Sequence, residues 1–271
     1  MILSNFHAHT NYCDGKNTCE EMVQAAISKG LRAFGLSEHC HTPVPIDSGH
    51  PTFEELAAFG DEVRTLKTKY ADKIELFYGI EQDSIGDSST DGTDYVIGST
   101  HFVNIGGVYR FVDDGADGQR ETVARFYGGD WYAFAEAYFA DESQIVDITN
   151  CDIIGHFDLI NKNNEGDRLF DTSHPRYRAA AIASMERILR RCNLFEVNTG
   201  AMYRVGRTEQ YPQTWLLREL LTRGGEVILS SDSHDTASIG YKFDEMEDLL
   251  REVGFARRKT LTRGGWTDIE L

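Results

Sequence analysis

The stretch Ala33-Phe34-Gly35-Leu36-Ser37-Glu38-His39 carries the pattern on which the fold depends, a short apolar run that ends in polar side chains. Apolar residues fill this run instead of alternating with polar ones, which indicates a strand buried on both faces, as in a parallel sheet. We predict a strand over residues 33–36. Six other short apolar runs, each bounded by polar residues or glycine, are also predicted strands: 2–6, 74–80, 95–99, 152–155, 194–197 and 226–229.

Longer segments between these runs carry helix signals. Thr18 precedes an acidic turn and an apolar face that ends at Gly30, and Thr52 with Glu55 forms a capping-box pattern. Similar patterns predict helices over three further segments: 176–191, 214–222 and 244–252. Strand and helix alternate about seven times, which implies a parallel sheet, and no break divides the chain into halves. We therefore predict a single α/β domain over residues 1–271, a parallel (β/α)7-type barrel.

Residues 104–147 interrupt this alternation. The segment begins with a predicted loop rich in glycine and acidic residues and continues with an aromatic stretch. It is too long for a plain connection, so we predict an insertion between the fourth and fifth strands that covers one face and ends in a helix. Trp131, Phe134, Ala135 and Tyr138 are expected to be the buried face of that helix, with a lid or substrate wall as the alternative.

Composition limits the classes of function. The chain has 271 residues, with 44 acidic and 27 basic side chains and a formal charge of −17, which argues against a nucleic-acid groove. No apolar run approaches the roughly 18–20 residues needed to cross a membrane, and the first residues lack a signal-peptide pattern. Five cysteines without a paired motif suggest reduced thiols. We therefore expect a cytoplasmic protein with no membrane or nucleic-acid partner.

Histidine or carboxylate side chains follow the C-terminal ends of six predicted strands. In a parallel barrel these ends converge on one rim, where active sites are built. Imidazoles and carboxylates crowded there would be desolvated or would repel one another, and divalent cations relieve both costs. Nitrogen and oxygen ligands suit Zn, Fe or Mn. Nine side chains are candidate metal ligands: His7, His9, Asp14, His39, Glu81, His101, His156, Asp232 and His234.

Nine ligands are too many for one ion, so we predict two or three divalent ions, with Glu81 and Asp232 as bridging ligands. Asp14 has an alternative reading, because Asp14-Gly15 is also a turn sequence. Glu38 is expected to accept a hydrogen bond from a ligand histidine or from backbone. The same role is expected for Glu196. His50, which precedes Pro51, is expected in an exposed loop.

Six motifs in this order resemble those of the polymerase and histidinol phosphatase (PHP) family: His7-Ala8-His9, Ser37-Glu38-His39, Gly79-Ile80-Glu81, Gly98-Ser99-Thr100-His101, Gly155-His156-Phe157-Asp158 and Ser231-Asp232-Ser233-His234. The resemblance extends over essentially the whole chain, and the aromatic segment 126–139 is similar to one in the histidinol-phosphatase branch. It implies a distorted, TIM-like barrel, a trinuclear metal centre at the C-terminal rim and phosphoester hydrolysis. Asp14 stands where other members place a histidine or another ligand.

Hydrolysis of a phosphomonoester requires a nucleophile, charge neutralisation and help for the leaving oxygen. A hydroxide bridging two ions is the expected nucleophile, because metal ions lower the pKa of bound water toward about 7. Lys162 and Arg204 follow the fifth and sixth strands and are expected to hold phosphate oxygens. His41 or His234 is the expected proton donor to the leaving oxygen, and His41 is also a candidate for substrate contact.

The leading hypothesis is a metal-dependent phosphomonoesterase that hydrolyses L-histidinol phosphate to L-histidinol and phosphate in histidine biosynthesis. Asp113, Asp114 and the aromatic residues of the insertion are candidates for binding the amine or imidazole of this substrate. One alternative is a PHP-family phosphoesterase for another small phosphate ester or for nucleotide or oligonucleotide ends, which would need a basic, aromatic-lined track. Another is a non-catalytic metal-binding barrel, which would lack at least one ligand.

Overall fold

The computed structural model describes residues 3–44 and 49–271. Its strands are β1 (Ser4–Asn5), β2 (Ala33–His39), β3 (Glu75–Asp83), β4 (Tyr95–Ser99), β5 (Phe102–Ile105), β6 (Val108–Phe111), β7 (Ile153–Ile154), β8 (Leu194–Asn198), β9 (Glu226–Ser230), β10 (Arg257–Thr262) and β11 (Gly265–Glu270). Its α-helices are α1 (Cys19–Ser28), α2 (Phe53–Lys69), α3 (Gly115–Tyr127), α4 (Trp131–Glu142), α5 (Ile145–Thr149), α6 (Pro175–Ile188), α7 (Gly200–Arg204), α8 (Thr214–Thr222) and α9 (Phe243–Val253).

Seven parallel strands form one sheet in the order β1-β2-β3-β4-β7-β8-β9. Its two outer strands meet beyond their C-terminal ends, where Ala8 pairs with Ser233 in a parallel bridge. The backbone N–H of His9 donates to the carbonyl of Ser233 at 2.8 Å, and Ser233 N–H donates to the carbonyl of His7 at 3.2 Å. These bonds close the sheet, so the prediction of a parallel (β/α)7-type barrel is confirmed.

The predicted elements correspond to observed ones with shifted ends. The strand predicted over 95–99 coincides with β4, whereas β2 and β3 extend three residues further than predicted, to His39 and Asp83. Residue 2, part of the first predicted strand, lies outside the described residues. Thr52 caps α2 with the predicted capping box, and Thr18 caps α1 as predicted, with a capping box to Glu21 that was not predicted.

Aromatic rings fill the barrel interior. Tyr95 donates its phenol proton to the carbonyl of Phe6 at 2.5 Å, and its ring occupies the space left by Gly35 on β2 and Gly79 on β3. Phe6 packs edge-on against this ring at a centroid distance of 5.7 Å. Side chains at both glycine positions would overlap the Tyr95 ring, so the two glycines allow a large aromatic residue inside a narrow barrel.

The C-terminal hairpin of β10 and β11, which the sequence patterns did not predict, closes the other end of the barrel. Leu261 belongs to the same buried cluster as the interior residues Phe6 and Ile228. Thr260 donates a hydrogen bond to Ser4 at 2.9 Å, at the start of β1. The hairpin therefore seals the N-terminal mouth and leaves the C-terminal rim as the accessible end.

The segment between β4 and β7 contains the β5–β6 hairpin and helices α3 to α5. The predicted glycine-rich loop is partly wrong, because α3 begins inside it at Gly115. Phe134, Ala135 and Tyr138 are buried as predicted, and Trp131 is half-buried against Phe170. Among the described helices, none is both long and apolar enough to span a membrane.

Candidate metal centre

The nine predicted ligands come together in one cup at the C-terminal rim. The nine side chains include three groups in which the ligand atoms lie within 4.8 Å of one another: His9, Asp14, His39 and His234; His7, His9 and Asp232; and His39, Glu81 and His101. The ninth side chain, His156, joins the cup through its Nε2 atom, 3.0 Å from Glu81 Oε1. Side chains from the first to the last barrel strand therefore converge on one small volume.

Glu81 lies at the centre of the cup. Its Oε2 atom is 2.7 Å from His39 Nδ1 and 3.4 Å from His7 Nε2, and its Oε1 atom is 3.6 Å from His101 Nε2. Burial alone would raise the pKa of Glu81, but these imidazoles hold it well below its ordinary value. Glu81 is therefore ionised, and its two oxygens face different sides of the cup.

Asp232 forms the second carboxylate of the buried cup. Its Oδ1 atom lies 3.4 Å from His9 Nε2 and 3.5 Å from His234 Nδ1. The residue has a φ of 45°, in the left-handed region that side chains other than glycine rarely adopt. Gly200 lies against the Asp232 side chain, where a Cβ atom would collide with it. The local backbone is thus shaped to present this carboxylate to the cup.

Asp14 closes the outer side of the cup. Its Oδ2 atom is 3.1 Å from His234 Nε2, and its Oδ1 atom is 3.6 Å from His39 Nε2. The side chain is 42% exposed, whereas Glu81 and Asp232 are buried. The turn predicted from Asp14-Gly15 and the ligand role predicted for Asp14 are therefore compatible.

Two carboxylates stand behind the cup histidines. His7 Nδ1 lies 2.9 Å from Glu196 Oε2, and His101 Nδ1 lies 2.9 Å from Asp83 Oδ2. Such contacts fix the ring orientation of a histidine and direct its other nitrogen toward a metal. Glu196 was expected in this position, but Asp83 was missed. Its position two residues after Glu81 was the available signal, because alternate strand residues share one face.

Glu38 acts through a thiol rather than directly on a histidine. It accepts hydrogen bonds from Thr10 Oγ1 at 2.6 Å and from Cys13 Sγ at 2.5 Å. Cys13 Sγ also lies 3.5 Å from His9 Nδ1. The expectation that Glu38 contacts a ligand histidine or backbone is therefore replaced by a Glu38–Cys13–His9 chain of contacts, which the cysteine count alone did not reveal.

The donor set fits divalent metal ions. The buried nitrogens His7 Nε2 and His9 Nε2 make no hydrogen bond within the described part of the chain. Burial, with His234 and His39 nearby, lowers the pKa of His9 to about 3, so that this imidazole is neutral and available as a ligand. Imidazole nitrogens and carboxylate oxygens together suit Zn, Fe or Mn.

A cavity of about 260 Å³ opens directly above the cup. Its wall contains Arg204 and Lys162, both predicted to bind phosphate, together with Asp113 and Asp114. Arg204 Nη2 lies 2.7 Å from Asp232 Oδ2, and Arg204 Nη1 lies 2.8 Å from His234 Nε2. The guanidinium therefore lies at the junction of the cup and the cavity.

Two histidines occupy positions other than those expected. His50 is half-buried and lines the cavity, with its Nδ1 atom 3.1 Å from the carbonyl of Cys40, so the expected exposed loop position is wrong. His41 does not line the cavity formed by the described residues. Its Nδ1 atom lies 2.6 Å from Asp87 Oδ1, and its ring stacks on Phe53. The roles predicted for His41 in substrate contact and proton transfer stay predictions.

Fold and site together define an α/β barrel with a cluster of potential metal ligands at its C-terminal rim and a cavity lined by Arg204 and Lys162. The family model described as the PHP domain matches residues 5–200, and the chain therefore belongs to the PHP family. A Deinococcus radiodurans protein named "Probable histidinol-phosphatase" is 28% identical, with 93% of this chain and 94% of that protein covered. The histidinol-phosphatase of Bacillus subtilis is 23% identical, with 88% and 96% covered.

The fold is also similar to a solved structure. The histidinol phosphate phosphatase of Lactococcus lactis, crystallised with zinc, L-histidinol and phosphate, superposes with a TM-score of 0.68. The two sequences are 20% identical, and the match covers 97% of this chain and 98% of that one. This likeness supports the barrel fold over nearly the full length of both chains.

Proposed function

We propose that this protein is a metal-dependent phosphomonoesterase that hydrolyses L-histidinol phosphate to L-histidinol and phosphate. The observation that carries the proposal is the shared cavity: the cup of imidazoles and carboxylates and the two cations Arg204 and Lys162 face the same space. Membership of the PHP family and the names of its full-length relatives support the reaction and the substrate.

The cup residues would hold two or three divalent ions, with Glu81 and Asp232 each facing more than one imidazole. When bound, such ions supply Lewis acidity to phosphate oxygens and acidify a water molecule. Glu196 and Asp83 keep the rings of His7 and His101 oriented for this task. The protein's part is therefore to preassemble the ligands in a buried, water-poor volume.

Phosphate binding falls to the cations of the cavity wall. Arg204 is held by Asp232 with its planar fork beside the cup, a geometry suited to two phosphate oxygens. Lys162 lies on the same wall. The formal charge of −17 would repel a phosphate dianion at a distance, so a local positive region is needed to draw it in.

The leaving oxygen requires a proton donor. His234 lines the cavity, whereas His41 does not, so we assign this role to His234. Its Nε2 atom, 3.1 Å from Asp14 Oδ2, is the atom that would hold the proton. With Nε2 holding the proton, the nitrogen that would bind a metal ion is Nδ1, which lies 3.5 Å from Asp232 Oδ1.

The decisive assay is release of inorganic phosphate by the enzyme loaded with Mn²⁺ or Zn²⁺. We expect the highest kcat/KM for L-histidinol phosphate in a panel that includes sugar phosphates, a nucleoside monophosphate and a short single-stranded oligonucleotide. Equal turnover of all monoesters would contradict the substrate assignment and leave a general phosphomonoesterase. Preferential trimming of the oligonucleotide would instead support the nuclease alternative.

A further inference from the structure

The cavity wall above the cup contains one ion pair that the reaction as proposed does not use fully. Lys162 Nζ lies 2.6 Å from Asp113 Oδ2, and both side chains are mostly buried, with 18% and 19% exposed. Both also line the cavity into which substrate must enter. A cation that binds phosphate is thus already paired with a carboxylate, which a phosphate dianion would have to share or displace.

Hydrogen bonds of the surrounding chain hold this pair in place. Val112, the residue before Asp113, donates its N–H to the carbonyl of His101 at 2.9 Å. Gln119, which is fully buried, donates to the carbonyls of Val112 and Ile160. The second of these distances is 3.0 Å. The loop that carries Asp113 and the turn that leads to Lys162 are therefore joined by one buried side chain.

We propose that Asp113 and Lys162 recognise the two charged ends of a 2-aminoalkyl phosphate, with Lys162 on the phosphate and Asp113 on the ammonium group. The inference rests on the proposed function and names the part of the substrate that sets specificity. It makes Asp113 a substrate-specificity residue for amine-bearing monoesters.

The charges around the pair favour this division. Arg204 and Lys162 are the cations of the cavity wall that can bind an anionic group, whereas the Asp113 carboxylate offers only acceptor oxygens. When phosphate takes donors from Lys162, an oxygen of Asp113 is left to be satisfied within a largely buried site, and an unsatisfied buried carboxylate is costly. A substrate ammonium satisfies it, but a substrate without an amine does not.

The spacing of the pair also suits such a substrate. In a 2-aminoalkyl phosphate, only the ester oxygen and two carbons separate phosphorus from the amine nitrogen, so the groups that bind its two charges must be neighbours. Lys162 and Asp113 are in direct contact. Phe111 and Leu159 line the same cavity and offer apolar surface to the rest of the alcohol.

The test compares two esters on four proteins. L-Histidinol phosphate and its analogue without the amine, 3-(imidazol-4-yl)propyl phosphate, are assayed with wild type, Asp113→Asn, Asp114→Asn and Asp117→Asn. We expect Asp113→Asn to lose about 10- to 100-fold in kcat/KM on the amine-bearing ester, the range of a charge-assisted hydrogen bond, and to change little on the analogue. Asp117, which is 98% exposed and pairs with Arg120, is the matched control and should leave both values unchanged.

Four results would overturn the inference. Equal losses on both esters would show that Asp113 has a structural role, and a selective loss in Asp114→Asn instead would assign the ammonium to the neighbouring carboxylate. A wild-type enzyme that hydrolyses both esters equally well would show that the amine is not read, whatever the stability of the variants. Hydrolysis of neither ester, with turnover of other monoesters, would reject the proposed function together with this inference.

Discussion

Glu81 illustrates how the cup depends on single side chains. Its two oxygens lie within 3.6 Å of nitrogens from five imidazoles, while the residue itself is 1% exposed. A buried carboxylate in this setting is stabilised only while positive charge surrounds it, whether protons on the histidines or metal ions. Proton and metal therefore compete for the same site.

Replacement of Asp83 tests the support behind the cup. Asp83→Asn keeps the size of the side chain but weakens its contact with His101 Nδ1. We expect metal affinity or activity to fall about 10- to 100-fold, as is typical for outer partners of metal-binding histidines. Competition with a chelator measures the affinity, and the exposed variant Glu136→Gln is the control. Unchanged affinity would show that Asp83 does not orient His101 for a metal ion.

Metal affinity should also depend on pH. Burial lowers the pKa of His39, but Glu81, Asp14 and Asp232 together raise it by more, to about 9. His39 is therefore protonated at neutral pH and must lose this proton to bind a metal ion. Apparent affinity should rise with pH up to about 9, by about tenfold per pH unit for each displaced proton. Zinc titrations at several pH values would measure this slope, and a flat profile contradicts the competition.

Strand ends explain why so much of the cup was visible in the sequence. Each barrel strand is a short apolar run, and the first polar residues after it must lie at the rim. This logic identified His39, Glu81 and His156 without structural information. It could not identify His50 or Cys13, because both lie on loops whose paths depend on tertiary packing and not on a local period.

The C-terminal hairpin escaped prediction for a different reason. Strand β10 has the sequence Arg257-Arg258-Lys259-Thr260-Leu261-Thr262, which is mostly polar and lacks a clear two-residue alternation. Its position is determined by the open end of the barrel, which needs a cover over residues such as Phe6. Partners far away in sequence therefore decide the fold of this segment.

Replacement of Leu261 tests the role of the hairpin as this cover. Leu261→Ala leaves a gap against the interior cluster and should lower the free energy of unfolding by about 2–5 kcal/mol. Metal content should stay unchanged, because the cup lies at the opposite end of the barrel. Denaturant unfolding gives the first quantity, and Val108→Ala, at a residue 47% exposed, is the control. A loss equal to that of the control would show that Leu261 does not contribute to the core.

Charge distribution links stability and function over the molecule as a whole. The chain has 27 basic and 44 acidic side chains, and several of the acidic groups are buried near the cup. Glu142 is one of them, at 1% exposure, and it forms no ion pair with another described residue. Burial, with Asp83 and Asp158 nearby, raises the pKa of Glu142 well above its ordinary value of 4.5.

Stability should therefore fall as Glu142 is forced to ionise. The folded protein holds this proton more tightly than the unfolded chain, so its contribution is complete below about pH 4.5 and declines as pH rises toward the raised pKa. Glu142→Gln removes the decline, and its stability relative to wild type should grow by up to about 1.4 kcal/mol per pH unit. Urea unfolding at pH 5 and pH 8 measures the difference, with Glu121→Gln as the exposed control. A difference that does not grow with pH would contradict the assignment.

The sequence predicted the barrel and the members of the cup, but not the relations between them. Order along the chain shows that Asp232 and Arg204 lie at the rim, yet their 2.7 Å contact depends on the path of the short helix α7 after β8 and on the left-handed backbone at Asp232. The pairing of His41 with Asp87 and its stacking on Phe53 likewise join residues that are not neighbours in sequence. Contacts of this kind follow from packing across the whole barrel.

The most direct measurement is the elemental content of protein purified without chelators. Nine ligands in one buried cup predict two or three transition-metal ions per chain, and Glu81→Gln, which alters the central carboxylate, should lower that number. Glu136→Gln should match wild type. Wild-type protein that contains no stoichiometric transition metal, and that takes up none from Mn²⁺ or Zn²⁺ solutions, would contradict the metal centre and the chemistry proposed for it.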